Sequence, residues 1–279
     1  MEILQPVSSQ DSSGVGLAPK FAKADRPSSA AVEKKVFGRP SRLTNLPFPY
    51  CPGCGHGLVH RMIAEAIEEL GIAERAVMVT SIGCSVRMWR QFSWLDVCQP
   101  GHGRAPATAT GIKRASPDSI VFAYQGDGDM AAIGLSEVVH AAARGEKIAI
   151  FFVNNAVFGA TGGQMAPTTL VGQSTSTSLG GRSTEQAGYP IRMAELLDTL
   201  EAPAFLARVS VADISNLNKA KKATLRALEI QRDGLGFAMV EYLVPCPSGW
   251  RMTPVEALQW VGSTMSKYYP LGVLRDRRG

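Results

Sequence analysis

The stretch from Ile120 to Asn155 limits what this chain can fold into more than any other. Two apolar runs, Ile120-Val121-Phe122-Ala123-Tyr124 and Ile148-Ala149-Ile150-Phe151-Phe152-Val153, lie on either side of a segment from Ile133 to Arg144 that reads as a helix closed by Gly145. The runs are continuous where a strand with one wet face would alternate, so both faces of each must be covered, as in a parallel sheet. Strand, helix, strand at this spacing is a βαβ unit. Ala76-Val77-Met78-Val79-Thr80, Ala204 to Val209 and Phe237 to Val244 fit the same sheet. Helical spacing over Gly57 to Leu70, stopped by Gly71, and over the basic stretch Ser215 to Gln231 supplies covering layers. The predicted fold is α/β, a doubly wound parallel sheet in one domain over residues 41–255. Residues 1–40, rich in Ser, Ala, Pro, Gly and Lys without a period, predict an extended or disordered arm. Residues 256–279 read as a C-terminal tail, and the polar excursion from Gly159 to Gly188 as a functional loop.

Apolar residues at 45% and charged residues at 19% describe a globular chain and exclude a fibrous or wholly disordered one. No apolar run approaches the ~20 residues of a membrane-spanning helix. Glu2 opens a terminus without the apolar segment of a secretory signal, so the expected place is the cytoplasm, away from membranes. A net charge of +5 suits an acidic partner or anionic small molecules and is a weak footprint for nucleic acid. Five cysteines, an odd number in a long chain, are poorly explained by a disulfide framework and need another use.

In an open parallel sheet, ligands bind where the carboxyl ends of the strands meet a common crevice. Gly126-Asp127-Gly128-Asp129 and Asn154-Asn155 both fall at such ends. Glycines let the backbone approach a diphosphate, and the carboxylate of Asp127 with the amide oxygen of Asn155 suits a Mg²⁺ that keeps phosphate oxygens in its shell. Taken singly, the first is an ordinary tight turn and the second an ordinary capping corner; their pairing in one βαβ unit favours the diphosphate site. No Gly-x-Gly-x-x-Gly opens a helix after a strand, which argues against a dinucleotide fold.

Cys51-Pro52-Gly53-Cys54 precedes the first helix, and a Cys-x-x-Cys pair has three usual uses: zinc ribbon, redox pair, or half of an iron–sulfur site. The second close pair of a zinc ribbon is absent. Cys84 follows a strand, and Cys246 lies between Pro245 and Pro247. Four thiolates on loops can hold a [4Fe–4S] cluster, and unrelated structural cysteines remain the alternative. Cys98 is left over and reads as a buried small hydrophobe.

Two resemblances follow from these residues. Gly126-Asp127-Gly128 followed after 25 residues by Asn154-Asn155 resembles the signature of thiamine diphosphate enzymes. It implies a fold of their diphosphate-module type, with Mg²⁺ on Asp127, Asn155 and the carbonyl of Val157. Pro49-Tyr50-Cys51-Pro52-Gly53-Cys54-Gly55-His56, Ser81-Ile82-Gly83-Cys84-Ser85, His102-Gly103-Arg104-Ala105, the paired turns, Thr161-Gly162-Gly163-Gln164 and Pro245-Cys246-Pro247 occur in the order and approximate spacing of one family. The chain resembles the β subunit of a 2-oxoacid:ferredoxin oxidoreductase from about Pro47 to Trp250.

That resemblance implies a [4Fe–4S] cluster on Cys51, Cys54, Cys84 and Cys246 beside thiamine diphosphate. The cofactor would be surrounded by Gly83, Cys84, Ser85, His102, Gly103, Arg104, Gly126, Asp127, Gly128, Asp129, Asn155, Val157, Gly159, Thr161 and Gly162. His102 and Arg104 are candidates for the diphosphate or the substrate carboxylate. Arg87 stands where similar proteins carry a basic residue facing the 2-oxoacid, with a plain ion pair as the alternative. His56 is either a donor near the cluster or a structural histidine, and His60 and His140 read as ordinary helix residues. The implied reaction is oxidative decarboxylation of a 2-oxoacid with coenzyme A, giving acyl-CoA and CO₂, with electrons passing through the cluster to ferredoxin. The loop after Thr161 favours a branched-chain 2-oxoacid or 2-oxoglutarate. An α subunit is expected to supply the carboxylate that binds the aminopyrimidine, and γ and δ subunits can accompany it. A thiamine-dependent lyase or ligase without a redox step, and a non-catalytic electron-transfer or assembly subunit, are the rival readings.

Overall fold

The computed structural model describes residues 38–92 and 94–277. The arm predicted over residues 1–40 falls outside them, apart from its last three positions. Nine strands form: β1 (Ala76–Thr80), β2 (Asp96–Cys98), β3 (Ile120–Gly126), β4 (Ala149–Asn154), β5 (Val157–Phe158), β6 (Gln164–Met165), β7 (Phe205–Ser210), β8 (Ala238–Leu243) and β9 (Gly272–Asp276). The helices are α1 (His56–Leu70), α2 (Ala105–Ala115), α3 (Leu135–Ala143), α4 (Thr184–Ala187), α5 (Met193–Asp198), α6 (Ile214–Arg232), α7 (Pro247–Trp250), α8 (Pro254–Trp260) and α9 (Ser266–Tyr268). Seven strands make one sheet in the order β2-β1-β3-β4-β8-β7-β9, and β5 and β6 form a separate small hairpin. Every pairing in the large sheet is parallel except β7 with β9.

The continuous apolar runs have the predicted explanation. Ile120, Phe122 and Tyr124 of β3 pack on one face with Val59, Ile63 and Ile67 of α1 and Ala220, Ala227 and Leu228 of α6. Val121 and Ala123 pack on the other with Ala105 and Ala109 of α2, Val138 and Ala142 of α3 and Leu197 of α5. With helices on both faces, every position of the central strands β3, β4 and β8 is buried except Gly126 at the cleft end of β3, so the strands carry no polar alternation. The doubly wound parallel sheet is thus the observed architecture.

Two expectations change. The helix read from Ile133 begins at Leu135, because Gly128–Ile133 is a π-helical turn leaving the Asp127 corner. Such turns are rare and concentrate at functional sites. Residues 256–279 were expected as a tail, yet Pro254–Trp260 is a helix with a capping box between Thr253 and Glu256, and Gly272–Asp276 joins the sheet antiparallel to β7. Val261, Met265 and Tyr269, spaced four apart, bury against Ala156, Leu170 and Leu243 in a third small core. The charged ending hid the strand. Arg275 and Asp276 sit on a sheet edge, where charge is the usual protection against pairing with another chain.

The polar excursion after Gly159 is organised around a cation in place of an apolar core. Arg182, only 6% exposed, donates to the carbonyls of Ala166, Pro167, Thr169, Ala187, Gly188 and Tyr189. Carbonyls that would otherwise be buried without partners are satisfied by one planar fork of donors.

Candidate functional site

The carboxyl ends of β1, β3 and β4 open into one cleft. Of the residues expected around the cofactor, Gly83, Cys84, Ser85, His102, Gly126, Asp127, Gly128, Asp129, Asn155, Val157, Gly159 and Thr161 line it; Gly103, Arg104 and Gly162 do not. Asp127 is 3% exposed. One carboxylate oxygen accepts from the Gly128 amide at 2.9 Å and the other from Thr168 Oγ1 at 2.8 Å. Burial pushes its pKa up to about 7, and these hydrogen bonds only partly offset that. A buried carboxylate in this state is matched by a divalent cation. Gly128 has no room for a side chain: a Cβ there would lie 2.1 Å from the ring of Phe158.

The Asn154-Asn155 turn is braced from three sides. Ala156 has φ of 57°, a left-handed conformation rare for a residue with a Cβ. Its amide donates to Asn154 Oδ1 at 3.2 Å, and its carbonyl accepts from Thr169 Oγ1 at 2.6 Å. The Trp250 indole donates to the carbonyl of Asn155 at 2.9 Å. Asn154 in turn donates to Glu241 at 2.8 Å, and Glu241 accepts from the fully buried Arg208 at 2.8 Å. Arg208 also pairs with Glu195, and its guanidinium lies 5.2 Å from the ring centre of Tyr269. The Tyr269 hydroxyl donates to the carbonyl of Thr168, the residue that holds Asp127. Thr168, Trp250, Arg208 and Glu241 were missed by sequence reasoning.

Asp129 acts as a tie between loops. It accepts from the Gly103 amide at 2.8 Å and from Gln125 Nε2 at 2.6 Å. His102 Nδ1 lies 2.6 Å from the same carboxylate, off the line of a straight hydrogen bond. His102 is thereby held on the cleft wall. Arg104 turns away to pair with Glu137. Arg87, expected to face a 2-oxoacid, does not line the cleft; it donates to the carbonyl of Pro49 at 2.8 Å. The cause is local: Cys84–Arg90 is a 3₁₀ helix, in which residues three apart eclipse, so Arg87 stacks over Cys84. Its charge favours the Cys84 thiolate.

Cys51 and Cys54, Cys84, and Cys246 come from three separate places in the chain and converge. The Cys54 amide donates to the carbonyl of Cys51, and the Gly55 amide to that of Pro245, which ties the two cysteine loops together. The sulfurs of Cys246 and Cys84 lie 3.2 Å and 3.8 Å from where a Cβ of residue 159 would stand, so Gly159 keeps the space beside them open. Burial pushes the Cys54 and Cys246 thiols up to about 12, and repulsion between the thiolates adds to it: Cys54 feels Cys84 and Cys51, and Cys246 feels Cys54 and Cys84. Backbone amides of His56 and Gly249 donate to Cys54 and Cys246 respectively, partly offsetting this. Among the described residues no three His, Cys, Asp or Glu side chains are grouped to hold one metal ion. A cubane cluster gives each thiolate its own iron and needs four separated sulfurs, whereas zinc needs them on one centre. Cys98 stands apart on β2, half-buried on an edge strand; the fully buried setting expected for it is absent because β2 has no further strand beyond it.

Behind the cysteines lies a buried ring cluster. His56 Nδ1 and the Tyr124 hydroxyl are 2.5 Å apart, His56 stacks on Tyr50 at 4.6 Å, and His60 Nε2 meets the Tyr50 hydroxyl at 3.3 Å. Burial lowers His56 to about 3 and His60 well below its ordinary value. Both therefore stay neutral in the fold while the unfolded chain takes up protons near pH 6.5. The stability they permit is complete above pH 6.5 and should fall as the pH drops, by about 1.4 kcal/mol per unit for each histidine. Urea denaturation from pH 7.5 to 5 should show this slope, and His60→Gln should flatten it.

Residues 81–241 match the family model for the thiamine pyrophosphate enzyme C-terminal TPP binding domain. The 2-oxoacid:ferredoxin oxidoreductase subunit beta of Sulfolobus sp is 33% identical over 229 residues, covering 81% of this chain and 69% of that protein. The chain belongs to the thiamine diphosphate-binding subunits of the 2-oxoacid:ferredoxin oxidoreductase family. The ketoisovalerate oxidoreductase subunit VorA of Methanothermobacter marburgensis is 53% identical over 243 residues, 87% of this chain and 51% of that relative. This family member thus spans about half the length of the VorA relatives it matches. The structure of a 2-oxoglutarate:ferredoxin oxidoreductase from Magnetococcus marinus, with 2-oxoglutarate, coenzyme A and succinyl-CoA bound, has the same fold, with a TM-score of 0.70 over 89% of this chain and 88% of that one at 24% identity. For this family member, the matched segment holds the Asp127 and Asn155 turns and Cys84, while Cys51, Cys54 and Cys246 lie outside it. No helix among the described residues is long and apolar enough to cross a membrane.

Proposed function

We propose that this subunit grips the diphosphate of thiamine diphosphate through Mg²⁺ on Asp127, Asn155 and the Val157 carbonyl. Cys51, Cys54, Cys84 and Cys246 would carry a [4Fe–4S] cluster beside it. With partner subunits it oxidatively decarboxylates a branched-chain 2-oxoacid. Coenzyme A takes the acyl group, CO₂ leaves, and two electrons go to ferredoxin. The observation that carries this reading is the double membership of Cys84: it lines the cleft with Asp127 and Asn155 and also feels Cys51 and Cys54 electrostatically.

When bound, the thiazolium supplies a nucleophilic carbon and an electron sink for decarboxylation, and the cluster a one-electron acceptor. The residues of this chain bind and orient. Asp127 and Asn155 would hold the Mg²⁺ whose charge offsets that of the diphosphate, and so place the diphosphate at the glycine turns. Asp129 holds His102 against the cleft, where its ring can meet diphosphate or substrate carboxylate. The 3₁₀ turn holds Arg87 over Cys84, stabilising its thiolate as a ligand. The amides of His56 and Gly249 donate to cysteine sulfurs, an interaction that tunes cluster potentials.

A partner that completes the cofactor site is supported by two features. The cleft holds about 120 Å³, below the ~300–1,000 Å³ of a cavity that encloses an organic ligand. Its two carboxylates are committed, Asp127 to Thr168 and Gly128, Asp129 to Gly103 and Gln125, so neither is free for an aminopyrimidine. The 53% identity to a subunit named for ketoisovalerate supports the branched-chain substrate.

Anaerobically purified protein should contain about four irons and four sulfides per chain. Zinc alone, or no metal, would sink the redox reading in favour of a lyase or a structural site. With its partner subunits, the protein should reduce viologen in a coenzyme A-dependent way, fastest with branched-chain 2-oxoacids. A preference for 2-oxoglutarate would overturn the substrate assignment alone.

A further inference from the structure

A second recess lies on the outer part of the sheet, along β7 and β9, two places and more from β4 in the strand order. Its wall is one face of α6, where Asn216, Lys219, Lys222 and Arg226 recur at intervals of three and four residues. Its floor is apolar, made of Phe205 and Val209 on β7 and Val273 on β9, the last 60% exposed. The recess holds about 480 Å³, within the range of small-molecule sites.

The charge pattern on the wall is specific. Arg226 pairs with Asp276 of β9 at 2.8 Å, across the recess. Lys219 and Lys222 form no ion pair or hydrogen bond among the described residues, although both are lining groups. Lys221, between them in sequence but turned the other way, pairs with Glu65 of α1 at 3.0 Å. Arg208, also on the lining, is held by Glu195 and Glu241, and Arg226 by Asp276, so Lys219 and Lys222 are the lining cations left without an ion pair among the described residues, beside an apolar floor. Such a site matches a doubly negative phosphate group carried on an apolar or aromatic body.

We propose that this recess binds a phosphorylated small molecule with an apolar or aromatic body, of the nucleoside phosphate class. Lys219 and Lys222 take the phosphate, and Phe205, Val209 and Val273 support the body. The site is independent of the thiamine cleft and needs no metal.

The test is calorimetric titration of the full chain with ADP in EDTA at low salt, so that no divalent cation can recruit the nucleotide to the Asp127 turn. Saturable binding of one ADP per chain is expected. Lys219→Ala and Lys222→Ala should each weaken it at least about tenfold, as loss of a hydrogen bond to a charged group does. Val273→Trp, which fills the recess from an exposed position, should abolish it, and Lys221→Ala should leave it unchanged. Thermal melts of the four variants close to that of the parent chain would verify folding. Absence of saturable binding, equal loss in Lys221→Ala, or unchanged binding in Val273→Trp would each overturn the proposal.

Discussion

Asp127→Asn should make the cofactor-free protein more stable while removing its magnesium-dependent hold on thiamine diphosphate. The two effects have one cause. The carboxylate is buried beside hydrogen-bond donors but no cation, and its pKa rises from 3.8 to about 7. A raised carboxylate pKa means that the fold disfavours the ionised form, so the penalty grows as pH rises from about 4 and is complete above about 7. Three units correspond to about 4 kcal/mol at most. Asparagine keeps the shape and carries no charge; its oxygen can accept from the Gly128 amide while its NH₂ donates to the Thr168 hydroxyl, which rotates to accept. The variant should therefore gain stability over the parent at pH 8 and little or nothing at pH 4, as read from denaturant midpoints. Its affinity for thiamine diphosphate with Mg²⁺ should fall by more than the ~10–100-fold that loss of an outer partner of a metal ligand costs. Thr168→Val removes such an outer partner and should fall within that range. Unchanged magnesium-dependent binding in Asp127→Asn would end the metal assignment.

Arg208→Met should be the most destabilising single substitution in the sheet. The guanidinium is fully buried between Glu241, itself fully buried, and Glu195. Removing it strands the Glu241 carboxylate without a countercharge, and breaking a buried pair from one side costs about 3–5 kcal/mol. Glu241 would then protonate or shift, and either response disturbs its acceptance from Asn154, the first residue of the turn proposed to hold the metal. The loss should reach the cofactor as weaker Mg²⁺-dependent binding, although Arg208 does not line the cleft. Adding Glu241→Gln should recover much of the stability, since glutamine still accepts from Asn154 and carries no charge to strand. A Arg208→Met variant within 1 kcal/mol of the parent would refute this account of the buried pair.

The strands and the paired turns were legible because each is a local pattern: a continuous apolar run, then glycine or asparagine where the run stops. The cysteines were legible as four thiols without a disulfide use, and their convergence is a fact of the fold that spacing does not contain. The braces were not legible. Thr168 lies 41 residues from the Asp127 it holds, and Glu241 lies 87 from Asn154. A threonine in a polar loop and a lone charge in an apolar strand give no local sign of their partners. Arg87 was placed by homology of position, and in its 3₁₀ turn it stands outside the lining of this chain's own cleft. The last strand was masked by its own charges, which mark an edge and resemble a solvated end.

The reversal of that last strand has a practical consequence. Gly272 of β9 pairs with Arg208 near the carboxyl end of β7, and Asp276 pairs with Phe205 at its beginning. The backbone thus travels back along the sheet and leaves it at the side opposite the cleft. An affinity handle or a fused protein attached directly after this strand would start on the side of the sheet opposite the Asp127 and Asn155 turns and the cysteine loops.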